Sequence, residues 1–135
     1  MIEANTPTPS DEGPNVIFSY TRAQAIEDGV LVDLTKWARE LGFRYPVTCT
    51  AGVWNGHIVP AEALRSMGQS ERGRGHDVLW MLLNAIRQGG GGDCVFFDVI
   101  FLQPPERHVT VKLKALCGPG DDGQPAITIM LPDED

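Results

Sequence analysis

Hydrophobic and polar positions alternate most regularly in the last third of the chain. Residues 93–102, 108–116 and 126–131 each read as a strand, because successive side chains of a strand point to opposite faces. The intervening residues 103–107 and 118–125 are rich in Gly, Pro and Asp, the residues that turns require. The pattern predicts an antiparallel meander. One face would carry Val95, Phe97, Val99 and Phe101, then Val109, Val111, Leu113 and Ala115, then Ile127, Ile129 and Leu131. The other would carry Asp98, Thr110, Lys112, Lys114 and Thr128, together with Phe96, Ile100 and Met130.

Upstream, a 3.6-residue period replaces the alternation. Thr21 and Gln24 fit a capping box, in which the Thr hydroxyl and the Gln side chain each satisfy a backbone N–H of the first turn. That short helix should stop at Gly29. Residues 30–34 are extended, and a second helix starts at Asp33 or Thr35 and runs through Leu41. Leu34, Trp37, Ala38 and Leu41 form its apolar stripe, and Gly42 ends it. Tyr45 to Val47 is extended, because a residue before proline avoids helical angles. Residues 48–58 fit neither period, with Gly52 and Gly56 weakening a helix over Val53, Trp54 and His57. Pro60 suits the first turn of a short helix ending at Gly68. Residues 70–75 read as a polar, mobile loop. The longest helix spans His76 to Gln88 and is apolar nearly all round, which predicts burial on every side. Trp37 and Trp80 sit in apolar stripes and read as core. Gly89 to Gly92 connects that helix to the meander.

Residues 1–15 hold little that is apolar and read as a disordered, acidic, Pro-rich arm. Residues 16–19 could add an edge strand. The expectation is one α+β domain over residues 16–135: an antiparallel meander of at least three strands packed against a buried helix and two or three shorter helices.

Length and composition agree with that. The chain has 135 residues, 42% hydrophobic and 21% charged, which suits one globular domain. No apolar run approaches a membrane span, and the first residues lack the basic start and apolar centre of a secretion signal. A cytoplasmic protein is expected, with no membrane contact. Cys49, Cys94 and Cys117 are irregularly spaced, matching neither a disulfide framework nor a zinc site, and read as small buried hydrophobes. The net charge of −7 is concentrated at the ends and in one loop. Glu3, Asp11, Glu12, Asp121, Asp122, Asp133, Glu134 and Asp135 account for more than all of it. The remaining 10 acids face 11 Lys and Arg, so the body is nearly neutral. Acidic ends disfavour non-specific nucleic-acid binding and could contact a basic partner.

Four constellations could carry chemistry. Gly118 to Gly123 has two acids, but adjacent Asp121 and Asp122 without a following Glu make a hairpin loop rather than a calcium loop. Gly89 to Gly92 follows a helix instead of opening one, the reverse of a phosphate loop. Cys49, His57, His76, Asp77 and Arg74 could form a small catalytic pocket beside the long helix, if the fold brings a base to a nucleophile. Lys112, Lys114 and Phe96, helped by Arg72 and Arg74, could bind nucleic acid on the outer sheet face, although base-stacking sheets offer more aromatics. No metal-ligand spacing occurs and no cofactor is expected.

Residues 16–34, 42–47, 77–82, 116–122 and 127–135 resemble, in order, the blocks of a family of small uncharacterised proteins carried on bacterial plasmids and other mobile elements. The resemblance implies an accessory gene of a mobile element and no activity that maps to residues. Small acidic accessory proteins of such elements often bind a host or defence protein. The expectation is therefore a non-enzymatic factor, most plausibly an inhibitor of a host defence system (anti-CRISPR or anti-restriction). Its candidate contacts are Asp121, Asp122, Asp133, Glu134 and Asp135, with Trp54 and Arg44 as anchors.

Overall fold

The computed structural model describes residues 20–89 and 92–135. The expected arm and the strand over residues 16–19 lie outside them. Helix α1 (Arg22–Glu27) leads to strand β1 (Leu31–Asp33), helix α2 (Thr35–Glu40) and strand β2 (Val47–Thr50). A helical turn α3 (Ala51–Val53) widens into a π-turn (Trp54–Ile58). Helix α4 (Glu62–Arg65) and the long helix α5 (Glu71–Arg87) follow. Strands β3 (Cys94–Gln103), β4 (Arg107–Pro119) and β5 (Pro125–Met130) complete the chain.

The five strands form one mixed sheet in the order β1-β2-β5-β4-β3. The meander is present, with Phe97 opposite Leu113 and Ala115 opposite Ile129. Two further strands extend it. β2 pairs in parallel with β5, setting Thr48 opposite Thr128, and β1 closes antiparallel on β2. Val47, Thr48 and Cys49 of β2 are all buried. A strand covered on both faces shows no alternation, so the pattern could not reveal it.

Helix α5 lies on the inner face of the sheet. Val78, Leu79, Leu82 and Leu83 meet Phe97, Val99, Phe101, Leu113 and Ile129 in a single core with Leu34, Ala38 and Val53. Two expectations change here. Residues 70–75 are ordered as the start of α5, because the Ser70 hydroxyl accepts from the Gly73 N–H and caps the helix. Nor is α5 buried all round: Trp80 is 44% and Met81 39% exposed. They point away from the core stripe, and no described element covers that side.

Gly75 makes the α2–α5 contact possible. A Cβ there would stand 2.6 Å from Cζ3 of Trp37. The Trp37 ring therefore lies on bare helix backbone, stacked on Trp54 at 6.2 Å. On the opposite face, α1 covers the β2–β5 seam. Arg22 donates to the hydroxyls of Thr48 (2.9 Å) and Thr128 (2.7 Å) and to the Ile127 carbonyl (3.0 Å). Arg22 thus partly covers Thr128, over which the alternation implied solvent.

Candidate functional site

The end of α2 determines where Arg44 stands. Gly42 adopts φ +103°, its N–H donates to the Arg39 carbonyl, and the Phe43 N–H donates to the Ala38 carbonyl. This is a Schellman ending, in which the second residue past the cap folds back on the helix. Phe43 is thereby buried, and Arg44 and Tyr45 are left outside.

Beneath them opens a cleft of about 430 Å³ between the Phe43–Tyr45 segment, the last turns of α5 and the β3–β4 end of the sheet. Leu82, Leu83, Ile86, Val95, Ala115 and Ile127 supply its apolar lining. Arg44, Arg87 and Asp93 bring charge to it, and Tyr45 and Cys117 a hydroxyl and a thiol. Arg44 and Arg87 form no ion pair among the described residues. Arg87 sits in the final turn of α5, where a cation complements the helix dipole. The cleft thus has an apolar floor under a local excess of positive charge, on a chain whose net charge is −7. Its size is that of a typical ligand or anchor-residue pocket.

The acids singled out by sequence are dispersed, and three are engaged within the chain. Asp121 accepts from the Arg22 N–H (2.8 Å) and the Ala23 N–H (3.1 Å), capping α1 from the β4–β5 loop. Asp122 accepts from the Gln124 N–H inside the same turn. Glu134 is half-buried and accepts from the Thr50 hydroxyl (2.8 Å) and the Leu131 N–H (2.7 Å), tying the C-terminus to β2. Asp133 and Asp135 are exposed. Trp54 is half-buried against Trp37. Of the seven candidate contacts, only Arg44 stands at the cleft.

The catalytic constellation does not assemble. Cys49 is fully buried in β2. Burial, with Glu134 adding to it, pushes its thiol up to about 12, so almost no thiolate exists at neutral pH. His57 stacks on Phe101 at 5.4 Å. Burial, then the Arg74 charge, lowers its pKa, and its Nδ1 is enclosed without a hydrogen-bond partner. Arg74 is a structural clamp rather than a loop cation. It is 4% exposed and donates to the carbonyls of His57 (2.8 Å) and Leu102 (3.0 Å) and to Gln69 Oε1 (3.0 Å). Its guanidinium lies 4.9 Å from the centre of the Phe101 ring. His76 and Asp77 are exposed on α5, with His76 stacked on Trp80. The cavity that Arg74, His76 and Asp77 share includes neither Cys49 nor His57.

The basic outer face is equally reduced. Lys112 pairs with Asp98 at 3.2 Å and Arg72 with Glu40 at 2.7 Å, while Lys114 stands opposite Phe96. Cys94 and Cys117 are exposed, against the expectation of burial, because both lie at the open end of the sheet. Among the described residues no three His, Cys, Asp or Glu side chains gather to hold a metal ion. No helix among them is long and apolar enough to cross a membrane.

Of the residues at the cleft, the sequence pointed to Arg44 alone. Arg87 reads as part of the small polar face of the long helix, Ile86 as part of its apolar run and Tyr45 as extended chain, and nothing local says that they meet. A family of unknown function (DUF6573) matches residues 10–135, and the chain belongs to it. No curated protein and no solved structure matches the chain.

Proposed function

We propose that this member of a family of unknown function is a non-catalytic protein-binding factor. It would take an apolar, acid-flanked segment of its partner into the cleft below Arg44 and Arg87. The observation that carries the reading is the cleft itself: about 430 Å³, apolar within, with two arginines at it that have no carboxylate partner among the described residues. An apolar anchor from the partner would fill the floor, and a neighbouring Asp or Glu would reach a guanidinium, which favours bidentate contact with carboxylates. Nothing in the family assignment or the described geometry points to catalysis.

The finer reading is an inhibitor of a host defence nuclease complex. It is supported by the resemblance to mobile-element proteins and by the engagement of the candidate nucleophile in the core. The test uses the tagged full chain as bait in a bacterial lysate at low and raised salt. A stoichiometric partner should be recovered, in amounts that fall with salt. That partner should be lost on Arg44→Glu with Arg87→Glu and kept on Asp133→Asn with Asp135→Asn. Recovery unaffected by the arginine reversal would sink the cleft reading. Unchanged phage or plasmid survival under CRISPR or restriction challenge would sink the defence reading.

A further inference from the structure

Strand β3 is the last strand of the sheet, and its outer edge has no partner among the described residues. The hydrogen-bond phase shows which groups that edge presents. The Cys117 N–H donates to the Asp93 carbonyl (2.8 Å), so odd-numbered residues of this strand face β4. The backbone groups of Cys94, Phe96, Asp98, Ile100 and Leu102 therefore face outward. The Leu102 carbonyl agrees, because Arg74 takes it from outside the sheet at 3.0 Å. Arg74 thereby closes one end, leaving an open edge from Cys94 to Ile100. The same even-numbered residues place their side chains on the outer face, where Phe96 is 53% and Ile100 60% exposed. Trp80 and Met81 of α5 border this edge, in a groove with Asp98, Val99 and Ile100. A long apolar edge without proline or bulge is a template for another strand.

We infer that the edge is covered by a second copy of this chain, with the two β3 strands antiparallel about a two-fold axis at Asp98, extending the sheet to ten strands. Self-complementarity selects that occupant and that register. With the axis at Asp98, Phe96 faces Ile100 of the other copy twice, an aromatic opposite a β-branched residue, which cross-strand pairing favours. Shifting by two residues in either direction sets Asp98 opposite Phe96 or Ile100 and strands its charge among apolar groups. The cost of the Asp98 register is one carboxylate opposite another. Each is already paired with Lys112 across its own sheet at 3.2 Å. The row Lys112–Asp98–Asp98–Lys112 over four strands has no net charge. A two-fold contact of this kind closes on itself and gives a dimer rather than a fibre.

Sedimentation equilibrium of the full chain tests this, with melting curves as a check on folding. The wild type should be a dimer at tens of micromolar. Asp98→Lys places four cations in the row and should yield monomer. Asp98→Lys with Lys112→Asp restores a neutral row and should restore the dimer. A wild-type chain that stays monomeric across that range overturns the proposal, whatever other strand proves to cover the edge. So does a dimer that Asp98→Lys leaves intact. A folded double variant that remains monomeric also overturns it, because only this register places the two Asp98 side chains face to face. None of these substitutions touches the Arg44 cleft, so failure here is distinguishable from failure of the binding reading.

Discussion

Replacing Arg74 with alanine should be among the most damaging single changes in this chain, although the residue looks like a loop cation in the sequence. Its guanidinium bonds the His57 and Leu102 carbonyls and the Gln69 side chain, joining the π-turn, the α4–α5 connection and the end of β3. Truncation leaves two carbonyls in partly buried positions without their charged donor, at about 1–3 kcal/mol each. Losing the contact with the Phe101 ring adds ~0.5–1 kcal/mol. Together these come to about 2.5–7 kcal/mol. At roughly 4 °C per kcal/mol for a domain of this size, the Tm should fall by about 10–28 °C. Arg74→Lys keeps the charge but cannot span three acceptors, and should fall between. Arg72→Ala is the control: its pair with Glu40 is exposed, and such pairs contribute ~0–1 kcal/mol. Thermal unfolding followed by circular dichroism measures all three. Equal effects of Arg72→Ala and Arg74→Ala, or an Arg74→Ala shift below about 4 °C, would refute the clamp.

Four further outcomes follow from particular contacts. Gly75→Ala should destabilise by about 1–3 kcal/mol in denaturant titration, where an unobstructed helical glycine would gain ~1 kcal/mol, because the new methyl meets Trp37 at 2.6 Å. Asp121→Ala should cost about 0.5–2 kcal/mol and speed amide exchange at Arg22 and Ala23, while Asp122→Ala should leave those amides unchanged. The folded-state pKa of His57 lies below its ordinary 6.5, so its contribution is full above pH 6.5 and is lost as pH falls through the folded value. His57→Phe should remove that portion of the acid destabilisation in melting curves taken from pH 7.5 downward. A thiol reagent at neutral pH should label Cys94 and Cys117 and leave Cys49 unmodified until the chain unfolds, since its thiol is pushed up to about 12.

Much of the architecture was legible where burial is one-sided. The period-two pattern over residues 93–131 located β3, β4 and β5 and their inner faces, and the Thr21–Gln24 pair located the start of α1. What escaped lies where burial is two-sided or satisfied from afar. β2 shows no alternation because both its faces are covered. Ser70 to Gly75 looks like a loop because its glycines and charges carry no hydrophobic period. Yet Gly75 is there for the Trp37 ring, and Arg74 for carbonyls 17 and 28 residues distant. The acids misled for the same reason. A carboxylate that caps a helix 99 residues earlier in the chain reads, in one dimension, like a solvated one. The cleft was legible only as Arg44, because its other walls come from α5, β3 and β4.

Amide hydrogen exchange on the purified complex with the captured partner maps where that partner sits. Exchange should slow over residues 43–45, 82–88 and 93–95, with residues 121–123 and 133–135 unchanged. Protection confined to the acidic segments, with the cleft exchanging as in the free protein, would contradict it.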